Sequence, residues 1–490
     1  MLTHIANGDS RLSFWLRVRE FAVPLSMIET ATARRAVGDW AGACAAAGID
    51  IDLDMRSLAI GHGQELSTQV RADLRHLAPD LLRWHMPRIA PDGLLRPGLT
   101  ITLARYHAAG RDGPYPVHLV ARTPPAWADA GQRIGLALWD GSRYGAGARG
   151  HPHPRPSRRY RLDLHRHLWD ARRAGELRVR SGADRPAADR PPPPGPLPPG
   201  SEELAALASE RACAVGQWAD EAAIVLREEE RDTGTVLVRC GARHRLLLDL
   251  GPGPSRKWGP TSDLDNGNGN GNGNGSPALR IRAVTGDDGA ATSLPVLPDA
   301  ATWVPPDLEL IRAGAIDVER LHPLVASALV PGHVRSGRSE APDPAGRPRI
   351  VECRGERHRI CLVDGVLVAL DHDPAELRRE ELLVELTGTP LPCLRAIDEA
   401  HRRPDCLTGV RERLDHGDIA GALAVVEGLL GPEAVLRDGA LRDELESAAQ
   451  RRIAYGLYRA GLADPSRGRF RADVGRRPPR HRRPRDATFF

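Results

Sequence analysis

Residues 183–200 read ADRPAADRPPPPGPLPPG. Proline locks φ near about −65° and carries no amide hydrogen, so this stretch supports neither a helix nor an interior strand. It forms a stiff polyproline connection and places a boundary near residue 190. A second interruption, DNGNGNGNGNG at 265–275, alternates Asn and Gly, a composition that favours turns and flexibility over packing. Any fold for the 490 residues must be assembled from the pieces these two linkers leave.

The pieces divide as follows. Residues 1–180 form a helical then β-strand module, 181–200 the proline-rich linker, and 201–260 a helical hairpin plus a β-hairpin. Residues 261–280 are the Asn-Gly linker, 281–465 a β-meander followed by a helical bundle, and 466–490 a disordered Arg-rich tail.

In the first module, MIETATARRAVGDWAGACAAAG predicts a helix, a stop at Gly38, Asp39 as N-cap and a second helix from Trp40. Leu58, Leu66, Val70, Leu74 and Leu77 recur on one helical face. From residue 98 the period falls to two in GLTITLARY, PVHLVAR and RIGLALWDG, which predicts strands. Beyond residue 373, Asp373 as N-cap, Pro374 at the first helical position and Glu376 as reciprocal partner open a run of helices. The fold class expected is α+β: helical hairpins plus small antiparallel β-sheets, in at least two modules, joined by long Pro-rich and Asn-Gly linkers.

Three places share a Gly, a polar residue, a bulky apolar residue and Ala: GDWAGACA at 38–45, GQWADEAA at 216–223 and GDIAGALA at 417–424. This helix stop and restart resembles the turn of a tetratricopeptide-type helical hairpin. The copies lie far beyond the ~34-residue period of such arrays, so the resemblance implies helical hairpins and not a repeat array.

Two segments combine cysteine with histidine. VRCGARHRLLLDLG at 238–251 holds Cys240 and His244, and VECRGERHRICLVDG at 351–365 holds Cys353, His358 and Cys361. Structural zinc takes four tetrahedral S/N ligands, so the two segments together can in principle supply one Cys2His2 set. Strand logic favours another reading. Residues 350–353, 358–363 and 366–370 alternate around a Gly-containing turn and Asp364-Gly365, which makes a three-stranded meander of which 238–251 is a partial copy. Cys361 has no counterpart there, because Leu247 stands three after His244. The histidines of HPHP (151–154) and HRH (165–167) read as solvated, and in Asp371-His372-Asp373 the last residue is already used as a helix cap.

The motifs of other chemistry are absent, which leaves only an enzyme whose site assembles from residues far apart in sequence. There is no phosphate-binding G-x-x-x-x-G-K-[ST], no strand-led G-x-G-x-x-G, no G-x-S-x-G and no H-E-x-x-H. The one lysine, Lys257, lies in a loop without a following Ser or Thr. The near-exclusive use of arginine, with abundant Ala, Gly and Pro, is the signature of a GC-rich coding sequence and weak evidence for nucleic-acid binding. The tail at 466–490 has nine Arg against two Asp, so the rest of the chain is slightly acidic.

Seven scattered cysteines imply no disulfide framework, no signal peptide is recognised, and no apolar run approaches the ~18–20 residues of a membrane span. A cytoplasmic chain is expected, with no membrane partner and no cofactor, and no catalytic, cofactor-binding or metal-ligating residue is assigned. The leading functional expectation is a non-enzymatic protein acting through protein–protein contacts with an unidentified partner. The alternatives are weak, non-specific nucleic-acid association through the Arg-rich tail, and a zinc-stabilised protein or enzyme built on the Cys/His pairs.

Overall fold

The computed structural model describes residues 2–107, 116–128, 132–141, 151–184, 212–241, 244–251, 279–283, 293–333, 349–353, 355–363, 366–387, 391–402, 406–432, 435–462 and 488–489. Both linker cores, Lys257, the Asp364-Gly365 pair and most of the Arg-rich tail fall outside them. The architecture is α+β, as the periodicities predict.

The N-terminal helices are α1 (Leu2–Phe21), α2 (Leu25–Ala36), α3 (Trp40–Ala46), α4 (Met55–His62), α5 (Gln64–His76) and α6 (Pro79–Trp84). Strands β1 (Ile49–Ile51), β2 (Arg88–Ile89), β3 (Leu94–Leu95), β4 (Thr100–Tyr106), β5 (Val117–Arg122) and β6 (Ile134–Trp139) accompany them. One sheet has the order β1-β6-β5-β4, with β1 and β6 parallel and the other pairs antiparallel. Alternation turns Val117, Leu119 and Ala121 of β5 into the helical core, where Trp15, Leu66, Val70, Leu74 and Trp84 are buried. The single helical face expected over 58–77 is buried throughout, but Gly63, at φ +92°, breaks it into α4 and α5. After β6 come irregular turns and the short α7 (Leu177–Arg180).

A second body follows the proline linker. Helix α8 (Trp218–Glu228) covers the antiparallel sheet β7 (Gly234–Arg239), β8 (Arg245–Leu250) and β9 (Leu279–Ala283). The earlier half of the helical hairpin expected here lies mostly outside the described residues, and 215–217 is a 3-10 turn.

The chain then returns through α9 (Asp299–Thr302), α10 (Pro306–Arg312) and α11 (Pro323–Leu329). The sequence groups these residues with the meander. In space Leu308, Leu310, Leu321 and Val325 belong to the N-terminal core, while Leu297 and Ala301 join the second. Three polar pairs, two of them fully buried, hold this return. Arg19 donates to both oxygens of Asp307 at 2.7 and 2.9 Å, Arg159 donates to Asp299 at 2.5 Å, and His322 lies 2.9 Å from Asp80. Burial of an ion pair costs solvation, which is offset only when every partner is satisfied. The Arg19 pair meets that condition well: Trp84 Nε1 donates to Asp307 at 3.0 Å, and the guanidinium lies 4.2 Å over the Trp84 ring.

The C-terminal unit comprises the meander β10 (Arg349–Cys353), β11 (Glu356–Val363) and β12 (Val366–Ala369), then α12 (Pro374–Thr387), α13 (Pro392–Arg402), α14 (Leu407–His416), α15 (Ile419–Leu430) and α16 (Ala440–Arg459). It docks on the N-terminal body largely through polar contacts. Arg17 donates to Glu412 at 2.7 Å, Tyr455 to Asp50 at 2.5 Å, Arg459 to Asp52 at 2.8 Å and Arg83 to the carbonyl of His416 at 2.8 Å. At the far end Thr488–Phe489 forms β13, paired with β2.

Two of the three Gly-polar-apolar-Ala stretches are the same device. Gly38 and Gly417 take φ +78° and +87°, and Asp39 and Asp418 accept the amides of Gly42 and Gly421 at 2.8 and 2.9 Å. An arginine five residues before each, Arg34 or Arg413, donates to the same carboxylate. A Cβ at Gly42 or Gly421 would sit 2.1 or 2.2 Å from the carboxylate's other oxygen, the one the arginine holds, so a larger residue there would push the cap aside. Gln217, in the third stretch, makes no side-chain cap, so that copy is a likeness of sequence only.

Replacing Asp307 by Ala leaves Arg19 charged and buried beneath two tryptophans and strips Trp84 of its acceptor. We expect a loss of about 3–5 kcal/mol in denaturant unfolding, with a smaller loss in Arg19→Met/Asp307→Leu, which removes both charges. A loss below about 1 kcal/mol for Asp307→Ala would show that the return segment is held otherwise.

Candidate functional site

The residues singled out by sequence separate into two places. Cys240 is the residue after β7 and its amide donates to the carbonyl of His244 at 2.9 Å, closing the β7–β8 turn. Alternation sends Cys240 into the second core with Val236, Val238, Leu246 and Leu248, while His244 is exposed. A thiol and an imidazole on opposite sides of a turn do not share a ligand. The first Cys/His pair is therefore a hairpin turn, and Cys240 and His244 do not complete a set with Cys353 and His358.

The second stretch has the meander register that its alternation predicts, with Val351 opposite His358 and Ile360 opposite Ala369. Directly opposed residues share a face, so Cys353, His358, Ile360 and Ala369 point inward and Ile350, Arg359, Cys361 and Val363 point outward. Cys361 is thus parted from the other two by a single step of the pleat. Two residues not assigned as ligands from sequence take its place. His372, in the turn after β12, and Cys393, in the first turn of α13, bring their ligand atoms to Cys353, all three within 4.8 Å of one another. His358 stands beside them, its ring centroid 4.1 Å from that of His372. Both cysteines are fully buried, and the two histidine side chains are only 10% and 4% exposed.

The Asp371-His372-Asp373 turn explains this placement. Asp371 accepts the Arg359 amide at 2.7 Å and its guanidinium at 2.9 Å, which fastens the turn to β11 and holds the Asp371 carboxyl down at about 2. Asp373 accepts the Ala375 amide at 2.9 Å and caps α12, as the sequence predicts. Between these two fixed carboxylates His372 turns inward. Burial, with the neighbouring Cys353 thiol, pushes the Cys393 thiol up to about 12. Two thiols and two imidazoles in a buried niche make a set suited to a thiophilic cation.

The other histidines correct a sequence expectation. His151, His165 and His167 are buried, not solvated. The segment that holds them is basic and proline-broken, yet Arg166 ties it to Asp73 of α5 and His165 to Glu221 of α8. His165 lies 3.1 Å from Glu221, which also accepts from both ends of the Arg180 guanidinium, one bond at 2.6 Å. Burial by itself would raise the Glu221 carboxyl, but His165 and Arg180 overcome it and hold it at about 2. Burial, reinforced by His165, pushes His167 well below the ordinary histidine value. The cavity these side chains line holds about 20 Å³, the space of one water. A carboxylate so fully engaged by donors abstracts no proton, and this cluster is a buried tie between α7, α8 and the 161–168 turn.

Among the described residues no helix is long and apolar enough to cross a membrane. Compared with known protein families, curated proteins and solved structures, the chain matches none.

The Glu221 cluster sets an acid limb. Its folded pKa lies below the ~4.3 of an unfolded glutamate, so its contribution is complete above that value and is lost as pH falls towards about 2. Glu221→Gln should cost about 2–3 kcal/mol at neutral pH and flatten the loss of stability between about pH 5 and 2. An acid limb of unchanged steepness in the variant would remove Glu221 from this role.

Proposed function

We propose that the chain works through protein–protein contacts made by its C-terminal unit, residues 349–462, rather than as an enzyme. The observation that carries this is the outer face of the β10–β12 sheet. Ile350, Val363 and Val366 are 54%, 41% and 54% exposed on three adjacent strands, with Val368 and Cys361 between them. A soluble surface rarely leaves apolar side chains together in this way unless something covers them. Of the large apolar side chains exposed among the described residues, nine lie between 350 and 462 and four elsewhere, so the feature belongs to this unit.

The arrangement fits a partner and not a substrate. Its charges, Glu352, Arg357 and Arg359, gather at one end of the face, with Arg359 opposite Ile350, and leave Cys361, Val363, Val366 and Val368 as an apolar end. The cavity lined by His165 and Glu221 includes none of these residues, and small-molecule sites are concave.

Cross-linking of the full chain in its native cells, read by mass spectrometry, should place one protein partner on residues 350–370. Val363→Glu/Val366→Glu should weaken that complex at least about tenfold, because two charges would be buried in its centre, while the variant keeps its thermal unfolding midpoint. A chain that stays monomeric and partnerless, or a complex indifferent to both substitutions, overturns the reading. So does a particle held only by nucleic acid and lost on deletion of 466–490.

A further inference from the structure

We propose that Cys353, His358, His372 and Cys393 form a zinc site that fastens the β10–β12 meander to α13. The proposal stands apart from the contact surface above, which uses the opposite face of the same sheet.

Four observations carry it. The first is convergence. Cys353 ends β10, His372 follows β12 and Cys393 opens α13, so three separate elements already send one donor each to one niche, and His358 of β11 stacks against His372 at its edge. Two thiolates and two imidazoles are a full tetrahedral set for Zn²⁺, and the two thiolates neutralise its charge.

The second is the state of the imidazoles. His358 Nδ1 and His372 Nε2 are both buried and have no hydrogen-bond partner among the described residues. Buried ring nitrogens are ordinarily satisfied, and two orphans on touching rings point to a missing acceptor of their lone pairs. Each ring's other nitrogen faces a carboxylate: His358 Nε2 lies 3.8 Å from Glu356, and His372 Nδ1 lies 3.9 Å from Glu376. Metal-bound histidines characteristically donate their second N–H to such a group, and although neither separation is a hydrogen bond, both carboxylates stand on the side of the ring where that role is needed. Here the assignment is Nδ1 for His358 and Nε2 for His372.

The third is distance. Bonds of about 2.0–2.3 Å put tetrahedral ligand atoms roughly 3.3–3.8 Å apart. Cys353, His372 and Cys393 are already within 4.8 Å, so closure needs a movement of about 1 Å, and the His358 ring swings in from its contact with His372.

The fourth is the smallness of what otherwise holds the sheet. The buried cluster between meander and α13 is Cys353, Ala369, Leu391 and Cys393, two of the four being thiols, with Val351, Leu377, Leu394 and Ile397 only partly buried against it. Cores this small ordinarily depend on a metal or a disulfide. Binding converts two thiols to thiolates and releases two protons to solvent, with no oxidation or reduction.

The test uses the full chain purified under reducing conditions without chelator. Elemental analysis should find about one zinc per chain. Cys353→Ser and Cys393→Ser should each bring it below about 0.2, while Cys240→Ser and Cys361→Ser leave it unchanged. Stripped wild-type chain titrated with Co²⁺ should develop tetrahedral d–d bands and thiolate-to-cobalt charge transfer at one equivalent. His358→Gln and His372→Gln should shift the d–d bands and weaken binding at least about tenfold. The cobalt titration needs no variant, so it stands even where a substitution prevents folding. A wild-type chain without zinc and without cobalt bands overturns the site, as does zinc retained in both serine variants. A Cys353–Cys393 disulfide in the reduced preparation, seen as two missing thiols, overturns it as well.

Discussion

Arg19 and Asp307 meet under two tryptophan rings, 288 positions apart in the chain. Everything between them includes a proline linker, a second body and an Asn-Gly stretch, none of which fixes where the chain must come back. The pair does. Its charges are stranded in low dielectric unless α1 and α10 stand together, so a near miss is penalised far more than an uncharged contact would be. Asp299 with Arg159 and His322 with Asp80 repeat the logic on either side. Three polar ties across one return segment act less as a source of stability than as a specification of register, and the aliphatic core then closes around them.

Local structure was legible wherever one residue's chemistry sufficed. Gly38-Asp39 and Gly417-Asp418 could be read as stop and restart because the cap is satisfied within three residues. The meander was legible because a period of two survives in a sheet with one covered face. The same alternation, taken one step further, separates Cys361 from Cys353 and His358, so half of the Cys/His niche was present in the pattern. The other half was not. His372 is positioned by Asp371 bonding to Arg359, and Cys393 by a helix packed under the sheet; neither contact leaves a trace in local periodicity. The buried histidines at 151–167 were misread for the same reason. Their segment is polar in composition, but its polar groups find partners such as Glu221 that lie more than 50 residues away.

The bodies differ in what holds them. The N-terminal core is large, mixes Trp with Leu and Val, and is sealed by buried charge pairs. The C-terminal unit has a modest helical core of Ala, Val and Leu and a very small one beneath the meander, and it meets the rest through arginines, carboxylates, Tyr455 and a few ring contacts such as Tyr458 on Trp127. Interfaces of that composition resemble those between transient partners, so the unit's own stability must come largely from within.

That requirement links the two faces of the meander. Three short strands backed mainly by α13, with α12 and α15 touching them, are marginal by themselves, since a small sheet buries little on its single covered side. A cation gripping Cys353, His358, His372 and Cys393 favours the folded sheet, because the unfolded segment has no preformed site. A partner covering Ile350, Val363 and Val366 favours the same folded sheet from the other side. Two ligands that each select one state of a shared equilibrium strengthen one another without touching. The inner niche would thereby set how much of the outer surface is available to be bound.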